Sequence, residues 1–248
     1  MTSLKKTARV AGLLYLVMVL TSLYAHVYVP LQIFVKGDAV ATTNNILANE
    51  FLFRTCIVVS LVGATIFLFL ALSLYRLFRE VSTPLTKVMI ALVGMQIPVA
   101  FVLGTLKLTA LMILKNEVSV TVSPGQLPDL AMMFLQITRY GYVTLALFGG
   151  LWLFPFALLA YKSKFIPRIF GVLLIISGTG YTVDNLIAML FPDYSQPPVL
   201  AFIFFAGEIA MMLWLLIKGV KDYVSIEIIS ETKATVRPSS VKMKEYIE

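Results

Sequence analysis

Six apolar runs, each about 20 residues or longer, follow one another along the chain, and short polar breaks divide them. They cover Thr7–Val29, Phe51–Leu77, Pro84–Leu114, Leu130–Tyr161, Phe165–Pro192 and Val199–Lys218. Each is long enough to cross a bilayer as a helix, so the pattern predicts an all-α polytopic membrane protein with six transmembrane helices. The third run is longer than hydrocarbon is thick, and Pro98 inside it predicts a kink. Between the first two runs, Gly37-Asp38 marks a helix start, with Asp38 as N-cap of a segment too polar to span. Between the third and fourth, alternating Val118, Val120 and Val122 read as strand-like before a Pro-Gly turn.

The basic residues orient these runs. Lys5, Lys6, Arg9, Arg76, Arg79, Lys87, Lys162, Lys164, Arg168, Lys218 and Lys221 flank the runs on one side, whereas Lys36 and Lys115 stand alone in the opposite loops. The positive-inside rule therefore places both termini in the cytoplasm, N-in and C-in. The first run has the basic front of a signal peptide, but it is too long, and no small-residue cleavage site follows it. It is expected to be a retained span. Residues 1–220 form the membrane domain, and 221–248 a cytoplasmic tail.

Composition agrees with this reading and narrows the chemistry. Of 248 residues, 59% are hydrophobic and only 13% charged, about half the charged share of a soluble domain. The net charge is +7, yet the tail from Lys221 holds five bases and five acids, so the excess lies in the membrane domain. Basic loops beside anionic lipid account for it, and no continuous basic stripe suggests nucleic acid. One cysteine (Cys56) and one histidine (His26) leave no pattern for a disulfide or a multi-histidine metal site. No cofactor motif is present.

The informative residues are those that lipid should exclude. Asp184 lies 16 residues beyond Arg168, about 24 Å along a helix, followed by Asn185. Glu208 lies ten residues before Lys218, about 15 Å deep and close to the midplane. Arg54, Lys107 and Arg139 enter from the outer half, joined by His26 and Tyr140. Each unpaired charge in hydrocarbon costs about 2.5–3.5 kcal/mol or more, so they are expected to turn inward. Arg54, Arg139, Asp184, Glu208, Lys107, Tyr140, Asn185 and His26 are the candidate ligand-binding residues, and no catalytic residue is identified. The structural alternatives are Arg54 paired with Glu50 one turn away, Asp184 paired with Arg139 between helices, Lys107 reaching up to headgroups, and Glu208 protonated and hydrogen-bonded to a backbone or a tyrosine. Trp152 and Trp214 read as interfacial anchors.

RVAGLLYL, ATTNNILANEFLFR, FIPRIFGVLLIISGTGYTVDNL and GEIAMMLWLLIKGV resemble the bacterial membrane family called domain of unknown function 4386. The resemblance covers residues 5–221. It implies a six-span membrane protein and transfers no catalytic residue. Three bases against two acids favour an anionic or amphiphilic small molecule in an outward-facing pocket, bound without catalysis. A proton-coupled carrier using Asp184 and Glu208, and an intramembrane lipid-modifying enzyme, are the alternatives. The bilayer of a bacterial inner membrane is the expected partner, and a homo-oligomer stays open.

Overall fold

The computed structural model describes residues 4–118, 123–191, 194 and 196–220. The tail from residue 221, and most of the strand-like stretch at 119–122, lie outside the described residues. Among those described, the chain is all-helical, with six helices long and apolar enough to cross a membrane. This is a multi-pass membrane protein.

The first span, Leu4–Ile33, joins α1 (Leu4–Leu23), one π turn (Tyr24–Tyr28) and α2 (Val29–Ile33). A short helix, α3 (Ala39–Ala48), follows, and the Asp38 carboxylate caps it by accepting from the Ala41 amide at 2.8 Å. That is the capping the Gly-Asp pair predicts. The second span is α4 (Glu50–Phe78). The third comprises α5 (Thr83–Gly94) and α6 (Gln96–Leu114), the fourth α7 (Leu127–Leu151) and α8 (Leu153–Lys162). The fifth and sixth are α9 (Arg168–Leu190) and α10 (Pro198–Ile217).

Spans three and four break at matching places. Met95 lies three residues before Pro98, and Trp152 three residues before Pro155. A proline cannot donate to the carbonyl four residues back, so Gly94 and Leu151 each lose a helical partner there. The halves α5 and α8 pack on one another, as do α6 and α7.

Each span packs against its neighbours in sequence, and the sixth closes on the first. The result is a ring of six helices. Small residues hold the seams. A methyl group added at Gly12 would fall 2.5 Å from the Leu216 amide nitrogen, so α1 and α10 approach backbone to backbone. Gly207 presses on Ser177 and on the Leu173 carbonyl in the same way, and Gly150 on Thr182 of α9.

The middle of the ring is filled at one end and open at the other. Trp152 is only 2% exposed and reaches across the centre, its ring 6.1 Å from Tyr15 and 4.9 Å from Phe67, stacked on Phe156 at 5.5 Å. Phe78 and Phe165 continue this aromatic packing. Trp152 is therefore a plug rather than the expected interfacial anchor, because the fourth span runs ten residues past it to Lys162. Trp214 fits the anchor role better, with Lys218 Nζ 5.4 Å from its ring.

The seams give a direct test. Gly12→Val should lower stability by about 1–3 kcal/mol through overpacking. Gly94→Ala, whose added carbon meets nothing within 4 Å, should change it by no more than about 1 kcal/mol. Thermal denaturation of the detergent-solubilised protein measures both.

Candidate functional site

Above the Trp152 plug lies a cavity of about 1360 Å³, bounded by residues from all six spans. Small-molecule sites run to about 1,000 Å³, so this cavity is somewhat larger than most of them. Its rim is formed by the turn from Phe34 to Asp38, the start of α3, and Asp129. That turn is fastened: the Thr42 hydroxyl accepts from the Val35 amide at 3.0 Å, and Asn45 donates to the Ile33 carbonyl at 3.1 Å.

Five of the eight sequence candidates line this cavity: His26, Lys107, Arg139, Asn185 and Glu208. They come from spans one, three, four, five and six, so no two are neighbours in sequence. Lys107 is only 8% exposed, and among the described residues no carboxylate lies within salt-bridge distance of it. Its ammonium instead sits 5.1 Å from the centre of the Tyr142 ring and 3.8 Å from Cys56 Sγ. A cation over an aromatic face gains about 0.5–2 kcal/mol, which leaves much of its desolvation unmatched. Arg139 lies one turn nearer the rim on α7, and among the described residues it too has no acidic partner.

Tyr142 holds this upper level together. Its hydroxyl pairs with Ser60 Oγ at 3.1 Å, and the His26 ring meets it edge-on at 4.8 Å. His26 stands in the π turn of the first span, which shifts the local register and brings His26 and Ala25 to the cavity wall. Tyr142 is absent from the sequence candidates, although Gln136, Arg139 and Tyr142 recur every third residue on one helical face.

At the floor, Glu208 accepts a hydrogen bond from the fully buried Tyr15 hydroxyl, and the Tyr181 hydroxyl lies close to the same carboxylate. Among the described residues no cation lies within salt-bridge distance of Glu208. Gln96, at the break in the third span, lines the same depth and donates to the Leu92 carbonyl at 3.0 Å.

Three candidates stand elsewhere. Arg54 pairs with Glu50 at 2.7 Å, the local alternative weighed for it, because the two are one turn apart on an outer helix end. Glu50 also meets Lys115 at 3.1 Å, and Lys115 meets Glu117 at 2.9 Å, so this network ties the outer ends of spans two and three. Glu117, then Glu50, hold the Lys115 ammonium above its ordinary range, so its contribution is complete at neutral pH and fades only as alkaline pH passes the raised value. Asp184 accepts from the Tyr194 hydroxyl at 2.8 Å and does not line the cavity, so the expected Asp184–Arg139 pair is not formed. That carboxylate raises the Tyr194 phenol above its usual range. Tyr140 is 66% exposed on the face of α7 away from the cavity, since two residues along a helix turn a side chain by more than half a revolution from Tyr142.

Among the described residues no group of three or more His, Cys, Asp or Glu could hold a metal ion. Lys107 and Arg139 thus lie above Glu208 on the cavity wall, and among the described residues no salt bridge joins them.

A membrane protein of six ring-packed spans around a largely apolar cavity with a few ionisable residues is the class these features define. Residues 10–219 match the family described as Domain of unknown function (DUF4386), and the chain belongs to it. It is 36% identical over 88 residues to an "Uncharacterized protein" of Archaeoglobus fulgidus, covering 36% of this chain and 49% of that one. The chain thus spans about half the length of the curated relative it matches. No solved structure matches it.

Cysteine accessibility tests the cavity. With Cys56 replaced by Ala, a thiol at Ala146→Cys, on the cavity wall, should react with a charged maleimide at least about ten times faster than one at Leu186→Cys. Mass spectrometry of the purified protein in nanodiscs reads both rates.

Proposed function

We propose that this protein binds the anionic group of an amphiphilic small molecule in its cavity, without chemical conversion. The observation that carries the reading is Lys107, a nearly buried ammonium on the cavity wall with no carboxylate partner among the described residues. A phosphate or carboxylate between Lys107 and Arg139 would supply the missing counter-charge through charge-assisted hydrogen bonds. Tyr142 and Ser60 offer hydroxyls beside it, and His26 a ring nitrogen. The apolar wall below, from Met18, Phe67, Ile97 and Ala100, suits the ligand's body.

The cavity mouth lies at the end opposite the basic helix feet. With both termini in the cytoplasm and the chain in a bacterial inner membrane, it opens outward, toward the side from which an amphiphile in the outer leaflet would enter. A proton-coupled carrier is the weaker reading. It required Asp184 and Glu208 in one path, and Asp184 is engaged with Tyr194 outside the cavity. A lipid-modifying enzyme would need an aliphatic hydroxyl or thiol with an adjacent base; Ser60 pairs with Tyr142, and Glu208 meets only the phenols of Tyr15 and Tyr181.

Native mass spectrometry of the protein extracted with its lipids tests the proposal. An anionic amphiphile should be retained by the unaltered protein, and Lys107→Met and Arg139→Met should each weaken its binding by about ten-fold or more. Arg54→Met should leave retention unchanged. Loss of binding in Arg54→Met alone, or full retention in Lys107→Met, contradicts the reading.

A further inference from the structure

Polar residues line the cavity at two levels, and three helices give the same distance between them. On the first span, His26 and Tyr15 are 11 residues apart. On the third, Lys107 and Gln96 are also 11 apart, within α6. On the fourth, Tyr142 and Trp152 are ten apart, at the end of α7. At 1.5 Å per residue each separation is about 15–16 Å. The upper members meet one another, since His26 and Lys107 both contact Tyr142. So do the lower ones: Tyr15 touches Trp152 and donates to Glu208.

The upper level carries the bases and the lower the acid, and among the described residues no salt bridge joins them. Lys107 and Arg139 face the upper chamber, and Glu208 faces the lower. Between them the wall is mostly apolar, with Ser22 and Asn185 as its polar members. Thr21, beside Ser22, donates to its own helix at the Val17 and Met18 carbonyls, both at 2.9 Å. Ala64, Ile97, Ala100 and Ala146 supply the rest of that zone.

We infer that the cavity takes a two-ended ligand: an acid at one end for Lys107 and Arg139, an extended apolar body, and an amine or similar donor at the other end for Glu208. This rests on the anion-binding reading and extends it to the ligand's far end. Tyr15 and Tyr181 supply the donors near Glu208, and a carboxylate accepts about four hydrogen bonds, so acceptor capacity remains facing the chamber. A cationic amine would also provide the counter-charge that the floor lacks, just as the acid does above. A plain fatty acid would satisfy only the upper level.

Calorimetric titration of the full-length protein in nanodiscs, with empty nanodiscs as blank, compares ω-aminododecanoate with dodecanoate. The unaltered protein should bind the amino acid at least about ten times more tightly. Glu208→Gln should remove that preference, bringing the two affinities within about two-fold of each other. Equal affinities in the unaltered protein, a comparison that needs no substitution, overturn the two-ended ligand. So does a preference that survives in Glu208→Gln. If dodecanoate binds, Lys107→Met abolishes that binding, and the amine adds nothing, only the floor subsite falls. If neither compound binds, the floor subsite and the anion site fall together.

Discussion

A charge inside a membrane protein must meet an opposite charge, water or a ligand, because hydrocarbon offers it nothing. In this protein the described spans bring no carboxylate to Lys107 or Arg139 and no cation to Glu208. The ring of six helices answers that constraint by leaving its centre open at one end. Packing the centre shut with the same side chains would bury Lys107 and Arg139 without an acidic partner. The cavity is therefore a condition of the fold, and the fold supplies it through backbone-close seams at Gly12, Gly150 and Gly207 that pull the helices together at the periphery.

The other end obeys the opposite logic. Aromatic rings occupy the space there: Trp152 against Tyr15, Phe67 and Phe156, then Phe78 and Phe165. The two regimes meet at one depth, where Pro98 and Pro155 interrupt spans three and four. A proline break is tolerated in a span when its freed carbonyl lies against neighbouring helices or a polar chamber. Both breaks stand beside the cavity floor, at Gln96 and Trp152. The change from chamber to packed core and the change in helix direction thus share a level.

Charge position within a helix, more than charge identity, separates the site from the scaffold. Arg54 and Lys115 stand at helix ends, where Glu50 and Glu117 reach them and solvent screens them. Lys107, two turns below the end of α6, has no such neighbour. The π turn at Tyr24–Tyr28 makes a comparable difference on the first span by bringing His26 to the Tyr142 ring.

The number of spans, their order, the Asp38 cap and the presence of buried charge were all legible in the chain, because run length, hydropathy and local capping depend only on nearby residues. His26, Lys107, Arg139, Asn185 and Glu208 could be chosen as site residues for the same reason: depth along a helix follows from counting. Rotation about the helix axis does not follow from counting when a span is apolar all round. That is why Tyr140 stands among the candidates while Tyr142 does not, and why Asp184 was expected to meet Arg139. Only the closed ring decided which face of each span looks inward, that Trp152 crosses the centre, and that the cations and Glu208 occupy separate levels of one cavity. Those choices come from contacts between helices far apart in sequence, where a single glycine against a backbone settles the angle.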